Sequence, residues 1–292
     1  MNTSDQTLRG KVCLITGATS GIGAETARAL AARGATTVVV GRNAEKGAAT
    51  ARQISAETGN PEVACLTADL ASQVQIRQLA GQFLQRYSRL DVLVNNAGAM
   101  LTQRQESPEG IEMTLALNHL GPFLLTQLLL ETLKASAPAR IVNVASGFHA
   151  LATLDWQDLQ SRRRYFGLTA YNRSKLANVL FTYELARRLE GTGVTANAAN
   201  IGFTRTGLYR QQNLGLGLGL LCWLTLPFAH SVEESAQTVI YLATAPELAR
   251  VSGKYFEGEK EISSSKASYV VEDAARLWQI SAEMTTSGAP LA

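Results

Sequence analysis

The chain has 292 residues, of which 46% are hydrophobic and 17% are charged. A chain of this length and composition can bury a large core, and we expect a single α/β domain over 1–292. The net charge of +3 is not concentrated in a long basic run, so the charge pattern does not indicate nucleic-acid binding. Cys13, Cys65 and Cys222 are far apart in apolar surroundings, which is typical of reduced core cysteines rather than of a disulfide or a metal set.

The first predicted strand, at 12–15, runs directly into the glycine-rich sequence TGATSGIG (16–23) and a predicted helix over 24–33. In this context glycines permit a tight turn and a close approach of backbone to a pyrophosphate, which would bind at the helix N-terminus. A purely structural turn is the alternative. We predict a nucleotide site, with these contacts from the turn: Gly17, Thr19, Ser20, Gly21, Ile22 and Gly23.

The second predicted strand, at 36–40, ends in Gly41-Arg42-Asn43. In dinucleotide-binding folds this position faces the adenosine ribose, where an acid binds the 2′-hydroxyl of NAD and an arginine accommodates the 2′-phosphate of NADP. Arg42 has no acid beside it in the sequence, so we predict NADP(H) in preference to NAD(H). The alternative is an ordinary surface arginine in an NAD-dependent protein.

Strands and helices continue to alternate, with further strands predicted at 63–67 and 90–94. This alternation indicates a doubly wound parallel sheet of the Rossmann type, with helices on both faces. Asp69, after the third strand, is predicted to cap the next helix, and it is also placed to bind an adenine amino group. Small residues and amides after the fourth strand suit a place where backbone approaches a ligand. The predicted cofactor contacts of this part are Asp69, Leu70, Asn96, Ala97 and Gly98.

A long helix is predicted over 111–135, and it contains Gly121-Pro122. Pro122 has no N–H to donate to the carbonyl of Asn118, four residues earlier. That carbonyl is therefore left without its helical partner, and the helix is expected to bend there. Such a bend can serve packing alone, or the free carbonyl can hold a water near an active site.

Three side chains in the second half of the chain are candidates for acid–base chemistry. Ser146 follows the fifth predicted strand, at 140–144, and so opens into the crevice where ligands bind in such sheets. Tyr171 and Lys175 are one helical turn apart and share a face. An ammonium beside a phenol favours the phenolate and lowers the phenol pKa. Each feature alone is common, because serines also cap strand ends and Tyr–Lys pairs occur by chance.

Six motifs follow one another along most of the chain: TGATSGIG (16–23), ADL (68–70), NNAG (95–98), Asn118, VNVAS (142–146) and YNRSK (171–175). Together they resemble the short-chain dehydrogenase/reductase family. Within that family the chain is most similar to the retinol dehydrogenase-like branch. The branch is indicated by LNHLGPFLLTQLLL (117–130), RIVNVASGFH (140–149), SKLANVLFTYELARRLEGTGV (174–194) and the long segment between serine and tyrosine (147–170).

The resemblance implies an oxidoreductase with a proton-relay tetrad of Asn118, Ser146, Tyr171 and Lys175. Tyr171 would be the general acid in carbonyl reduction and the base in alcohol oxidation, and Ser146 would hydrogen-bond the substrate oxygen. Lys175 would bind the nicotinamide ribose and lower the tyrosine pKa, so that Tyr171 and Lys175 also contact the cofactor. The carbonyl of Asn118 would hold a water that links Lys175 to solvent, in agreement with the argument from Pro122.

One departure from the family pattern follows the strand predicted at 194–199. There the family's His-Pro-Gly is replaced by Asn200-Ile201-Gly202. Without the proline the loop loses a fixed φ and gains an N–H that needs a partner. We expect cofactor binding to survive this change, with the shape and mobility of the loop altered. The resemblance implies further cofactor contacts from Gly202, Thr204 and Thr206.

The segment 214–228, LGLGLGLLCWLTLPF, carries no charge. It is too short and too rich in glycine to span a membrane, which takes about 20 apolar residues. The favoured hypothesis is a mobile lid around 207–230 that closes a pocket for a large apolar substrate. The alternatives are a surface that contacts a membrane or another subunit, and a low-complexity loop packed on the core.

The C-terminal part is predicted to contain a helix over 231–244 that begins with a Ser231–Glu234 capping box. A strand at 254–256 and an amphipathic helical tail over 265–284 are predicted to follow it.

The sequence also gives expectations about partners and location. The helix over 175–189 is apolar around much of its circumference, which would suit a homodimer interface. The polar segment 1–10 lacks an apolar signal or anchor, so we expect a cytoplasmic protein, with peripheral membrane contact as the alternative. His119, His149 and His230 lack metal-ligand spacing, so no metal is predicted. His149 closely follows Ser146 and is interpreted as a satisfied structural histidine; the alternative is that it lies at the edge of the pocket.

The leading hypothesis is an NADP-dependent oxidoreductase that interconverts a lipophilic alcohol and its aldehyde or ketone. Two alternatives stay open, an NAD-preferring dehydrogenase and a catalytically silent nucleotide sensor or scaffold of the same fold. Silent proteins of this kind typically lose the tyrosine or the lysine, and this chain has both Tyr171 and Lys175.

Overall fold

The computed structural model describes residues 7–202 and 230–286, and its centre is an eight-stranded sheet. The strands are β1 Val12–Thr16, β2 Thr36–Gly41, β3 Val63–Thr67, β4 Val92–Asn95, β5 Ala139–Ala145, β6 Val194–Asn200, β7 Tyr255–Glu257 and β8 Lys260–Glu261. They lie in the order β3-β2-β1-β4-β5-β6-β7-β8. All neighbours are parallel except the antiparallel pair β7 and β8.

Helices cover both faces of this sheet. They are α1 Gly21–Ala32, α2 Ala44–Thr58, α3 Gln73–Arg86, α4 Met113–Ala135, α5 Gly167–Arg188, α6 Val232–Thr244 and α7 Val271–Thr286. Leu14 of β1 packs in a core cluster with Phe123 of α4, whereas Cys13 and Ile15 pack in a second cluster with Leu30 of α1. Because β1 is buried on both faces, its sequence is continuously apolar rather than alternating. The predicted doubly wound α/β architecture is confirmed.

Local sequence signals set several helix ends. α1 is followed by Gly34, whose φ of +84° is in the left-handed region that glycine tolerates best. α6 begins with the predicted capping box. There the hydroxyl of Ser231 accepts the N–H of Glu234 at 3.1 Å, and the Glu234 carboxylate accepts the N–H of Ser231 at 2.8 Å. Both signals act within a single turn of chain, so the sequence alone suffices to predict them.

The predicted helix cap at Asp69 is wrong. Ser72 is the N-cap of α3, and its hydroxyl accepts the N–H of Gln75. Asp69 lies three residues earlier, and its carboxylate accepts the N–H of Ala71 at 2.9 Å instead. Both residue types cap helices well, and the later start of α3 gives the position to the serine.

α4 changes its helical type in the middle. It is α-helical over Met113–Leu115, π-helical over Ala116–Leu120 and α-helical again over Gly121–Ala135. The N–H of Gly121 donates to the carbonyl of Ala116, five residues back. The distortion predicted near Pro122 thus takes the form of a π-helical segment, a type that is frequent at functional sites. α4 is long and apolar enough to cross a membrane, but most of its apolar stretch is buried inside the fold.

The C-terminal helix α7 packs across α4 and α5 through an aromatic cluster. The ring centroid of Trp278 lies 5.1 Å from that of Phe123 on α4 and 5.9 Å from that of Phe181 on α5. α5 packs on the sheet with its other side. The apolar circumference of α5 is therefore explained by contacts within the chain. The predicted homodimer interface on this helix loses the observation that suggested it.

Polar contacts also hold α7 in place. The side chain of Gln73 on α3 donates to the carbonyl of Met284 at 2.7 Å. Nε2 of His119, in the π-helical segment, lies 2.8 Å from the hydroxyl of Ser281, and Nδ1 lies 3.4 Å from Oδ1 of Asn178 on α5. Burial lowers the pKa of His119 to about 4, so the ring is neutral near pH 7. His119 is thus a structural link between three helices.

Candidate active site

The sheet order reverses between β1 and β4, and ligands bind at the carboxyl ends of strands beside such a reversal. The loops that follow these two strands are joined there. The hydroxyl of Thr16 accepts the N–H of Asn96 at 2.9 Å and of Ala97 at 3.1 Å. The side-chain amide of Asn96 donates in return to the carbonyl of Thr16 at 2.8 Å. The two predicted cofactor loops, 16–23 and 95–98, therefore form one connected surface.

Glycines allow the two loops to pack closely against each other. A Cβ on Gly17 would lie 2.8 Å from Cα of Ala97, and one on Gly23 would lie 2.5 Å from the side-chain nitrogen of Asn96. Both distances are shorter than any van der Waals contact. A side chain at either position would push the two loops apart, so their close contact requires glycine. Glycines at these positions are also those that a pyrophosphate-binding turn uses.

The N-terminus of α1 differs from those of α2 and α3 in its capping. Asn43 and Ser72 cap α2 and α3 through their side-chain oxygens. Ser20 occupies the same position before α1, but within the described residues its hydroxyl accepts no N–H of that helix. The first turn, which Gly21 and Ile22 open, contains no acidic residue. The N–H groups of this turn and the exposed Ser20 hydroxyl thus suit an anion, and they fit the phosphates of a dinucleotide.

The predicted ribose-side residues lie along the same edge of the sheet. Arg42 directly follows β2 and is exposed. A Cβ on Gly41 would lie 2.4 Å from Cγ2 of Thr19, so the end of β2 is in contact with the glycine-rich turn. Asp69 and Leu70 follow β3, the next strand outward. These four predicted cofactor contacts therefore belong to three adjacent strand ends.

Lys175 is buried in α5 under the carboxyl ends of β4 and β5. Its Nζ donates to the carbonyl of Val144 on β5 at 3.1 Å and lies 5.5 Å from the ring centroid of Tyr171. A Cβ on Gly98, in the loop after β4, would lie 3.7 Å from the same nitrogen. Burial lowers the pKa of Lys175 to about 8, because an ammonium loses hydration in the fold. Near pH 7 the ammonium is still the main form, held at a cost in stability.

Ser146 and Tyr171 are buried next to the ring of Phe148. The centroids of Phe148 and Tyr171 are 6.3 Å apart with the rings nearly perpendicular. The N–H of Phe148 donates to the hydroxyl oxygen of Ser146 at 3.4 Å. Ser146 directly follows β5, two residues after the carbonyl that Lys175 contacts. Three of the four predicted tetrad residues thus meet at the carboxyl end of β5.

Asn118 joins this group from the π-helical segment. Its side chain accepts the N–H of Ala99 at 2.8 Å and donates to the carbonyl of Ala99 and to the hydroxyl of Ser174, both at 2.9 Å. Ser174 donates in turn to the carbonyl of Tyr171 at 2.7 Å. The Asn118 side chain is thus engaged in holding the β4 loop against α5. Pro122 leaves the Asn118 main-chain carbonyl without an α-helical donor, so this carbonyl is the group suited to hold a water.

The loop that departs from the family pattern is closed by the side chain of Asn200. Its Oδ1 accepts the N–H of Gly202 at 3.2 Å, and its Nδ2 donates to the carboxylate of Glu257 on β7 at 3.0 Å. An asparagine that bonds the backbone two residues on forms a turn, and Gly202 completes it at a φ of +62°. The turn thus forms without proline. Outside the described residues lie Thr204, Thr206, Cys222 and, apart from residue 230, the predicted lid around 207–230.

Three residues of this site were not singled out from the sequence. Thr16 joins the two cofactor loops, Ser174 connects α4 with α5, and Phe148 contacts both buried hydroxyl residues. Thr16 and Ser174 lie inside the quoted motifs, so their motif positions are the available signal. Phe148 lies inside the branch motif RIVNVASGFH (140–149), two residues after Ser146, which is the corresponding signal.

The chain matches known proteins over most of its length. The family model described as short chain dehydrogenase matches residues 11–216. Human retinol dehydrogenase 12 is 46% identical over 277 residues, which cover 95% of this chain and 87% of that protein. The likeness therefore includes both the glycine-rich half and the half that holds Tyr171.

Two solved structures are similar in fold as well as in sequence. The crystal structure of an uncharacterized protein from Mycobacterium paratuberculosis gives a TM-score of 0.77 at 32% identity and covers 97% of this chain and 96% of its own. Pseudomonas aeruginosa RhlG, solved as an NADP active-site complex, gives a TM-score of 0.71 at 28% identity. It covers 90% of this chain and 98% of its own.

Proposed function

The chain belongs to the short-chain dehydrogenase family and is an NAD(P)-dependent oxidoreductase, and we propose that it uses NADP(H) to interconvert a lipophilic alcohol and its aldehyde or ketone. The observation that carries this proposal is the buried group of Ser146, Tyr171 and Lys175, with Lys175 next to Gly98 of the loop that is joined to the glycine-rich turn. The nicotinamide supplies the hydride chemistry when it is bound. The residues of the chain bind and orient the reactants and move the proton.

Tyr171 is the proposed proton donor in reduction and acceptor in oxidation. A phenol ordinarily has a pKa near 10, and the ammonium of Lys175 favours the phenolate. Ser146 is the proposed second donor to the substrate oxygen, where negative charge develops during reduction. The N–H of Phe148, which donates to the Ser146 hydroxyl oxygen, favours an orientation in which the serine proton points elsewhere. The site thereby offers two O–H donors, from Ser146 and Tyr171, to one substrate oxygen.

The proton that leaves Tyr171 in reduction has to be replaced from solvent. We assign this relay to a water held between Lys175 and the main-chain carbonyl of Asn118. For the carbonyl, support comes from Pro122, which has no N–H to donate to it. For the position beside Lys175, support comes from Gly98, where a Cβ would lie 3.7 Å from Nζ of Lys175 and 3.3 Å from the side-chain Oδ1 of Asn118. A side chain at this position would fill the space between the two residues, and glycine leaves it open.

Replacing Arg42 by alanine is expected to raise the Kd for NADPH about 10- to 100-fold and to leave the Kd for NADH unchanged. The reason is that Arg42 is exposed at the end of β2, next to the turn that contains Thr19. A guanidinium group there forms charge-assisted hydrogen bonds to the 2′-phosphate of NADPH, which NADH lacks. Titration of cofactor fluorescence with both cofactors measures the two constants.

The matched control is Arg52→Ala, because Arg52 is exposed on α2 away from the end of β2. It should change neither constant. Equal weakening of NADPH and NADH in Arg42→Ala would remove the phosphate role and favour the NAD-dependent alternative.

A lipophilic substrate is supported by three features. The aromatic ring of Phe148 lies beside Tyr171, the segment 214–228 is uncharged, and a relative that is 46% identical is named a retinol dehydrogenase. We propose that 207–230 acts as the lid of this pocket. In a series of aldehydes with NADPH, kcat/KM is expected to rise about fourfold per added methylene while the chain is being buried. A panel of lipophilic aldehydes and ketones with NADPH and NADH measures this, and a preference for short polar carbonyls would contradict it.

The single-domain organisation over 1–292, the cytoplasmic or membrane-peripheral location and the homodimer stay predictions. The described residues, 7–202 and 230–286, share one sheet with helices on both faces, which supports a single domain. The homodimer no longer has support from the surface of α5, because α7 packs there.

A further inference from the structure

His149 is buried one turn beyond the proposed catalytic serine, on the short 3-10 helix Gly147–Leu151. Its own N–H donates to the carbonyl of Ser146 at 3.0 Å, and its ring Nδ1 lies 2.8 Å from the same oxygen. On the other side of the ring, Nε2 lies 2.9 Å from the backbone nitrogen of Ser265. The ring therefore bridges the turn that presents Ser146 and a distant segment of the chain.

The two contacts fix the tautomer of the ring. A backbone N–H can only donate, so Nε2 of His149 is the acceptor for Ser265. In the neutral ring the proton is then on Nδ1, which donates to the carbonyl of Ser146. Burial lowers the pKa of His149, so the neutral ring that this pattern needs is the form present near pH 7. The hydroxyl of Tyr255, 3.3 Å from Nδ1, is a longer and secondary contact.

The segment that holds Ser265 is itself tied to the helices behind the site. The hydroxyl of Ser268 donates to the carbonyl of Ser265 and lies 2.6 Å from the hydroxyl of Ser264. Ser264 in turn lies 2.7 Å from the hydroxyl of Tyr183 on α5, the helix that carries Tyr171 and Lys175. The imidazole thus completes a chain of hydrogen bonds between α5 and the serine turn on β5. A change in the length of this hydrogen-bond chain would move Ser146 relative to Tyr171 and Lys175 on α5.

We propose that His149 is a positioning residue for Ser146. It holds the serine turn in register with the segment 264–268, and through that segment with α5, so that the Ser146 hydroxyl and the Tyr171 phenol address the same substrate oxygen. The inference rests on the proposed function for its catalytic consequence, whereas the tether itself does not depend on it.

The test compares His149→Leu, which removes both ring contacts, with His149→Asn, which keeps a donor near the Nδ1 position and is too short to reach Ser265. His149→Leu is expected to lower kcat with NADPH and a lipophilic aldehyde about 10- to 100-fold, because misplacing a catalytic group by about 1 Å has effects of this size. The Kd for NADPH should stay within about threefold of wild type. His149→Asn should recover part of kcat, and Tyr255→Phe, which removes only the secondary contact, should keep it.

The decisive comparison is made in the Ser146→Ala background. Without the hydroxyl there is nothing left to position, so His149→Leu should change kcat there by less than about twofold. A merely structural role would lower kcat by the same factor in both backgrounds, and that result would overturn the proposal. Full kcat in His149→Leu would overturn it as well.

A readout without turnover separates this inference from the proposed function. Amide hydrogen exchange at Ser265 should become faster in His149→Leu and in His149→Asn, since both remove its acceptor. If the wild-type protein reduced no carbonyl of the panel, the proposed function would be wrong. The exchange rate of the Ser265 amide would still test whether His149 tethers the serine turn to the segment 264–268. Unchanged protection of Ser265 in His149→Leu would overturn the tether whatever the activity.

Discussion

Replacing Tyr171 by phenylalanine is expected to lower kcat for carbonyl reduction about 10³-fold, which corresponds to about 4 kcal/mol of barrier. The substitution removes one oxygen and keeps the ring that packs perpendicular to Phe148 and lies 5.5 Å from Nζ of Lys175. Folding and cofactor binding should therefore be retained. Initial rates with NADPH and the best aldehyde of the panel, together with the Kd for NADPH from fluorescence titration, measure both effects.

Tyr241→Phe is the matched control, because this substitution also removes one phenol oxygen. The Tyr241 hydroxyl on α6 donates to Glu247, and the change should leave kcat and the Kd for NADPH as they are. Turnover of Tyr171→Phe at the wild-type rate would show that the proton comes from another group. Lost NADPH binding in Tyr171→Phe would instead make the phenol a binding group.

Replacing Lys175 by methionine is expected to have two opposite effects. It should lower kcat more than about 100-fold, because the buried ammonium beside Tyr171 is lost. Without cofactor it should also raise the free energy of unfolding near pH 7 by about 1–3 kcal/mol. Burial lowers the pKa of Lys175 to about 8, so the fold carries the cost of an ammonium that methionine does not impose. Function and stability thus compete at this position.

The pH dependence gives the sign of the second effect. Between the folded pKa of about 8 and the ordinary value of 10.5, the folded lysine has released its proton and the unfolded one still holds it. The unfolded state then binds more protons, so wild-type stability rises with pH across this window. Lys175→Met should lack that rise in urea unfolding at a series of pH values. Lys260→Met, at an exposed lysine of β8, is the control and should behave as wild type; lower stability of Lys175→Met near pH 7 would contradict the argument.

Much of this fold is predictable because its signals are local. The strand–glycine turn–helix unit, the capping box at Ser231 and the left-handed Gly34 each depend on a few adjacent residues. The one-turn spacing of Tyr171 and Lys175 is of the same kind, and the structure places both beside Ser146 at the end of β5. The position of Ser146 follows from the parallel sheet, because the carboxyl ends of β1 to β5 lie at the same edge and Ser146 directly follows β5.

The features that sequence patterns do not predict depend on distant parts of the chain. The π-helical segment at 116–120 needs more than the proline that suggested a distortion, and the edge strand β8 has only two residues. His149 reads as a buried histidine in the sequence, but its acceptor contact is with Ser265, 116 positions later. The cap of α3 at Ser72 instead of Asp69 is a choice between two good capping residues that local propensity does not decide.

The packing of α7 over α4 and α5 has a consequence for folding during translation. The hydrogen bond of His119 needs Ser281, 162 positions later, and that of Gln73 needs the carbonyl of Met284, 211 positions later. Neither bond can form before α7 has been synthesised. A nascent chain that has already made α5 therefore presents Phe123 and Phe181 without the indole that covers them in the finished fold. Such an intermediate exposes an apolar aromatic surface to chaperones, and to other growing chains, until α7 has been synthesised.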